Sequence, residues 1–173
     1  MRAEVIVSAV RPDDFASYVA VRSHALQRFA YLMSGDAAES ADLVQEALAR
    51  AYPRWRGLVK RGTHDAYVKR SIVNGSIDRW RKLGRVVPVA DVSEYDGRTA
   101  PAVDGTTDAD EAWRLCAELP PVQRAAVVLR FHEDLAFAQI AEVLDCAEAT
   151  ARSHVHRALA SLRGRLTTGV DDD

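Results

Sequence analysis

Residues 119–166 read LPPVQRAAVVLRFHEDLAFAQIAEVLDCAEATARSHVHRALASLRGRL, and the fold is decided here. Leu119-Pro120-Pro121 stops one helix and starts another, because proline at a first helical position has no N–H to leave unpaired. The run Val122 to Phe131 follows. Leu135 to Leu144 makes a short helix, with Ile140 and Leu144 apolar and Ala141 small enough for a close crossing. Asp145-Cys146-Ala147 is a three-residue break. Glu148 to Arg163 is the next helix, with Val155, Leu159 and Leu162 inward. Two short helices across a tight turn, the second one basic, form a helix-turn-helix pattern. From Ala149 to Leu166 there are four arginines, two histidines and no acid. Arg152, Ser153, His156 and Arg157 lie near the start of that second helix or one turn on, and Arg163 and Arg165 extend the positive face, a composition suited to the major groove of duplex DNA. A helical hairpin that binds protein is the competing reading.

The chain N-terminal to this stretch is also helical. Phe15, Val19, Leu26, Phe29 and Leu32 recur at helical spacing, and Ser34-Gly35-Asp36 closes that helix. Pro12-Asp13-Asp14 starts it, with acids at its positive end. Leu43, Ala47, Ala51 and Trp55, with Val44, Leu48 and Tyr52 beside them, form a broad apolar stripe that Pro53 kinks or ends. A third helix is expected from about Asp65 to Leu83, with Val68, Ile72, Val73, Ile77 and Trp80 apolar. Val86-Val87-Pro88-Val89 is the nearest thing to a strand, and Pro88 argues against it. The fold expected is all-α: two small helical domains, 10–84 and 112–167, joined by a flexible acidic linker, 85–111. That linker holds Pro88, Pro101, Gly97 and Gly105 without a helical period, and as a coil spans about 30 Å. Thr167 to Asp173 reads as a frayed acidic tail.

The 173 residues are 48% apolar, enough to bury a core, and carry 23 Lys+Arg against 25 Asp+Glu. No apolar run is long enough to span a bilayer, so membrane insertion is not expected. No signal-peptide pattern opens the chain, and the two cysteines, Cys116 and Cys146, fit buried thiols in a reducing cytoplasm. The formal net charge of −2 is unevenly spread: −3 over residues 1–49, +9 over 50–85, −6 over 86–112 and −2 over 113–173. The +9 segment fits either a polyanion partner or a solvated helix face.

Within it, Arg70, Asn74, Asp78, Arg81 and Arg85 fall on one helical stripe, flanked by Lys69, Arg79 and Lys82. Cations there can track phosphates, and Asn74 can both donate to and accept from a base edge. Trp80 and Tyr67 offer stacking faces, although Trp80, on the Val73–Ile77 side, reads better as core. Eleven basic residues against Asp65 and Asp78 favour nucleic acid. The loop Lys60-Arg61-Gly62-Thr63-His64-Asp65 can pocket an unstacked base. It reads equally as a plain turn with Asp65 as helix cap, and the residues alone favour the turn.

Taken together, Asp42-Leu43-Val44-Gln45-Glu46, the block from Asp65-Ala66-Tyr67-Val68-Lys69-Arg70 through Asn74 to Asp78-Arg79-Trp80-Arg81, and Leu119-Pro120-Pro121-Val122-Gln123-Arg124 resemble extracytoplasmic-function (ECF) sigma factors of bacterial RNA polymerase. The likeness is greatest to the actinobacterial SigE-family subgroup. It implies that the helix bearing Asp42, Leu43, Gln45 and Glu46 docks on the clamp of the polymerase β′ subunit, with Leu43 and Val44 able to face the core while Asp42, Gln45 and Glu46 face outward. It implies that Arg61, Gly62, Thr63, His64, Lys69, Arg70, Asn74, Asp78, Arg79 and Arg81 bind the melted −10 promoter strand. Thr150, Arg152, Ser153, His156 and Arg157 would read the −35 duplex, with the β flap as a further contact. An anti-sigma factor is an implied partner, and no cofactor, metal or catalytic residue is implied. Three departures bear on −35 reading: Asp145 stands where the family usually has Gly, Ala147 where Ser or Thr caps, and Ala151 where a larger apolar residue is usual. Pro53 bears on the polymerase-binding helix. A stand-alone helix-turn-helix regulator and a protein-interaction module are the competing functions. An enzyme is the poorest reading, since no Walker glycine loop, His-Glu-x-x-His or nucleophile elbow occurs, and His154 and His156, two apart, diverge on a helix.

Overall fold

The structure, a computed structural model, describes residues 14–86 and 113–168. Almost all of the expected linker, the Val86–Val89 stretch beyond Val86, and the tail from Gly169 lie outside the described residues. Helix α1 spans Phe15–Ser34 after Asp14, and α2 spans Ala37–Ala51. The carboxylate of Asp36 accepts from the Glu39 N–H at 2.8 Å, an N-cap worth about 1 kcal/mol. Between the two helices Gly35 sits at φ +73°, and its N–H returns to the Tyr31 carbonyl at 2.7 Å. Pro53 ends α2 rather than bending it: a 3-10 turn at Tyr52–Arg54 follows, then the short α3, Trp55–Lys60, and the long α4, His64–Val86. The C-terminal half holds α5 (Pro121–Phe131), α6 (Phe137–Leu144) and α7 (Glu148–Thr168), preceded by a helical turn at 113–116. Helix α7 runs through Thr168, past the point where fraying was expected.

The apolar stripes read from the sequence form the core. Leu26, Phe29 and Met33 of α1, Leu43, Ala47 and Ala51 of α2, and Val68, Ile72 and Val73 of α4 are buried. Helices α2 and α4 meet closely at Gly75, where a Cβ would stand 2.8 Å from Leu43 Cδ2. Two stripe members fall outside the core. Tyr52 is exposed, carried into the 3-10 turn by Pro53. Trp80, expected inside, is 57% exposed, because α4 outruns its neighbours and every side chain from Trp80 to Leu83 faces solvent.

In the second half, Ile140, Ala141, Val143, Ala151, Val155 and Ala158 lock α6 against α7. Asp145 turns the chain at φ +53°, ψ +52°, the left-handed conformation that glycine adopts most easily. Ala147 has no side-chain oxygen to offer, so the start of α7 relies on its carbonyl alone, which accepts from the Thr150 and Ala151 N–H groups. The two halves share one continuous core. Arg124 of α5 is its polar hub: buried, it donates to the carbonyls of Cys116, Ala117, Leu119 and, across the halves, Met33 at 2.7 Å, with its guanidinium over the Trp113 ring. The Trp113 ring fills the space at Gly35, where an added Cβ would come within 2.1 Å of it.

Gly35→Ala therefore combines a strained left-handed backbone with displacement of the Trp113 ring. It should lower stability by at least about 1 kcal/mol from the backbone alone. Thermal unfolding followed by circular dichroism should show the melting temperature falling by roughly 3 °C or more.

Candidate nucleic-acid interface

Helix α7 separates its faces cleanly. Ala151, Val155 and Ala158 are buried, while Thr150, Arg152, Ser153, His156 and Arg157 are all exposed together on the opposite side. Arg152 pairs with Glu148 one turn back at 3.0 Å. His154 does not join this surface. Its Nδ1 is buried without a hydrogen-bond partner, and burial, with the neighbouring Arg157 charge, holds its pKa below the ordinary value. It is neutral at pH 7 and belongs to the packing side.

Helix α4 presents a partly free stripe. Asn74, Asp78 and Arg81 are exposed; the side chain of Arg85 lies outside the described residues. The preceding turn exposes Arg61 and Gly62 and is a plain helix-capping turn, with the Gly62 and Thr63 N–H groups bonded to the Val59 and Leu58 carbonyls. Thr63 is half-buried. The His64 ring packs inward, 5.6 Å from Tyr18 and 5.3 Å from Trp55, with Nδ1 buried and unpartnered. Arg79 ties α4 to α2, donating to the Glu39 carbonyl at 3.2 Å and pairing with Glu46 at 3.0 Å. Tyr67, half-buried, accepts from Arg54 through its hydroxyl at 3.2 Å.

Besides Arg79, two more of the expected strand-binding cations are otherwise engaged. Lys69 is 3% exposed, with Nζ 2.8 Å from Asp65 and 2.6 Å from Glu133 of the second half. Arg70 donates to the Val143 carbonyl at 3.3 Å and to the Glu142 carbonyl, and stands 4.0 Å from Asp145. Asp65 is not the helix cap. It lies inside the first turn of α4 and gathers the Tyr18 hydroxyl at 2.8 Å, Arg22 at 3.3 Å and Lys69. Burial raises the Asp65 carboxyl, but the Lys69 ammonium, the Tyr18 hydroxyl and Arg22 together outweigh it and hold the pKa below the ordinary carboxylate value. Glu133 behaves alike: burial raises it, and His132 and Lys69 bring it down. Burial, with the Asp65 charge beside it, pushes the Tyr18 phenol up.

On α2, Asp42, Gln45 and Glu46 are exposed along one face. Leu43 is not on that face: it is 1% exposed and fills the gap at Gly75. It supports the surface from within, because a leucine flanked by Val44 and Ala47 completes the inward stripe.

Known proteins give this geometry its family. Residues 20–86 match Sigma-70 region 2, and residues 109–162 match Sigma-70, region 4. The RNA polymerase sigma-E factor of Streptomyces coelicolor is 37% identical over 158 residues, covering 88% of this chain and 86% of that protein. The ECF RNA polymerase sigma factor SigM of Mycobacterium tuberculosis is 32% identical, covering 98% and 88%. This chain is an extracytoplasmic-function sigma factor. In fold it is similar to the sigma factor RpoE of Bartonella quintana, solved with the anti-sigma factor NepR, at a TM-score of 0.70 and 24% identity over 93% of this chain and 99% of that one. The region 2 match disfavours a stand-alone helix-turn-helix regulator, and the family is not an enzyme class. No helix among the described residues is long and apolar enough to cross a membrane, and none of their side chains cluster as a metal site.

The sequence reading missed Tyr18 and Arg22 as partners of Asp65, Glu133 as a partner of Lys69, and Arg124 as hub. A signal for Lys69 was present: Asp65 stands four residues before it, and Val68, Ile72 and Val73 surround it on the inward side. Nothing local pointed to Glu133, which arrives from the segment between α5 and α6.

The lowered carboxyls of Asp65 and Glu133 give stability that is complete above the unfolded value, about 4, and is lost as pH falls through the lowered folded values. The melting temperature of this sigma factor should fall gently from pH 7 to about pH 5, as the half-buried His154 resists protonation, and steeply below about pH 4, where the two carboxyls protonate. Glu133→Gln should weaken that acid limb and cost about 2 kcal/mol at pH 7. Unfolding scans of both proteins across the pH series check it; an unchanged acid limb would count against the ion pair.

Proposed function

We propose that this sigma factor, which directs promoter-specific transcription initiation, meets the polymerase β′ clamp through Asp42, Gln45 and Glu46 on α2. The β flap is a further contact. It reads the −35 duplex through Thr150, Arg152, Ser153, His156 and Arg157 of α7, and the melted −10 strand through Arg61, Asn74, Asp78 and Arg81. It works with polymerase in the cytoplasm. The observation that carries the reading is the single exposed face of α7: five polar or basic side chains stand out where a recognition helix would enter a groove, and a buried stripe holds their backs. An anti-sigma partner is part of the same proposal; the likeness to a sigma factor solved with NepR supports it.

Lys69 and Arg70 enter the −10 contact only if the halves part. In the packed arrangement the Lys69 ammonium is held by Asp65 and Glu133, and Arg70 gives Nε and Nη2 to the Val143 and Glu142 carbonyls. Packing of the halves and full −10 contact are mutually exclusive, and the free protein should bind promoter DNA weakly. Nanomolar promoter binding by the free protein at physiological salt would overturn this.

Arg152→Ala with Arg157→Ala should weaken −35 recognition, each truncation costing about 1–3 kcal/mol in promoter affinity of the holoenzyme, with polymerase binding intact. Asp42→Arg should do the reverse, lowering affinity for core polymerase without touching the −35 contact. Polymerase pull-down and promoter gel shift on the same variants separate the two. Loss of polymerase binding in the α7 variant would sink the division of roles.

A further inference from the structure

We propose that Phe137 is the positioning residue that aims Arg152 at the −35 duplex; the proposal rests on the reading of α7 given above. Phe137 is the first residue of α6, and its half-buried ring lies between the helices on either side. The Arg152 guanidinium of α7 sits 4.5 Å from the ring centroid, and that of Arg130, from α5, sits 4.6 Å away. An aromatic face attracts a cation through its quadrupole. Two guanidiniums on one ring would repel each other, and each is also held by an acceptor of its own. Arg130 donates to the Leu135 carbonyl at 2.9 Å, and Arg152 to Glu148 at 3.0 Å.

The arrangement fixes the direction of Arg152 while keeping it available. Its side chain stays 58% exposed. A guanidinium that stacks through its flat face keeps edge N–H groups for a paired acceptor on a base. An unrestrained arginine loses rotamer freedom when it docks, whereas one already held loses less, so pre-organisation raises affinity. Arg130 lies outside the exposed α7 face. Its place on the ring, anchored at Leu135, makes Phe137 the bridge between the supporting helix α5 and the reading helix α7.

The test uses the complete holoenzyme on a promoter it transcribes in vitro and on the same DNA with the −35 region scrambled. Phe137→Leu removes the π face; Phe137→Met, which also fills the site without one, replaces it if the leucine variant does not fold. Either should lower affinity about two- to fivefold on the intact promoter only. Phe137→Tyr, which keeps the face, should bind like the parent. In an Arg152→Ala background the leucine or methionine change should add nothing. The proposal falls if Phe137→Leu and Phe137→Met bind like the parent, if Tyr loses as much as Leu, or if the loss persists without Arg152. If Arg152→Ala itself leaves −35-dependent affinity unchanged, the assignment of Arg152 falls first and takes this proposal with it. If Arg152→Ala weakens binding and the Phe137 variants do not, only the positioning role is lost.

Discussion

A lysine ammonium taken out of water must be neutralised, and Lys69 meets that demand with one carboxylate from each half of the chain, Asp65 and Glu133. Much follows from this sharing. Asp65 must stand in the first turn of α4, where it also collects Tyr18 and Arg22 from α1. Glu133 must reach inward from the segment that joins α5 to α6. The Arg124 and Trp113 contacts at the end of α1 then close the same seam from its other side. Two buried cations, Lys69 and Arg124, thereby hold the region 2 helices to the region 4 helices.

The helical elements were legible because their signals are local. Apolar spacing, the Gly35 stop, Pro53 and the Pro120-Pro121 start each act within a turn or two. The faces of α7 were legible for the same reason, since a buried stripe at positions 151, 155 and 158 leaves the intervening polar residues outside. Trp80 was misplaced because a stripe can be extended along a helix on paper beyond the length that has a partner. Lys69 was placed with the phosphate-tracking cations because charge counting over residues 50–85 cannot include an acid at 133. Leu43 entered the polymerase-facing set with its motif, although its burial against Gly75 makes it a support.

The helix-turn-helix carries two local costs that its packing absorbs. Asp145 takes a left-handed conformation without glycine's freedom, and Ala147 leaves the start of α7 without a side-chain cap. Neither moves the exposed face, because Ile140, Val143, Ala151 and Val155 fix the helix pair from inside. The proposed DNA-reading helix is thus held by apolar contacts, and its polar face stays exposed.

On the proposal that full −10 contact needs the halves apart, the shared lysine couples the partners of this chain. When a surface is available only in a minor, parted form, the apparent affinity for its ligand is scaled down by the fraction of molecules in that form. Any partner that prefers the parted form raises that fraction for every other partner with the same preference, and the coupling is equal in both directions. A core enzyme that separates the halves would therefore tighten the hold on a promoter by the same factor by which the promoter tightens the hold on the enzyme. A partner that prefers the packed form would weaken both at once without touching either surface.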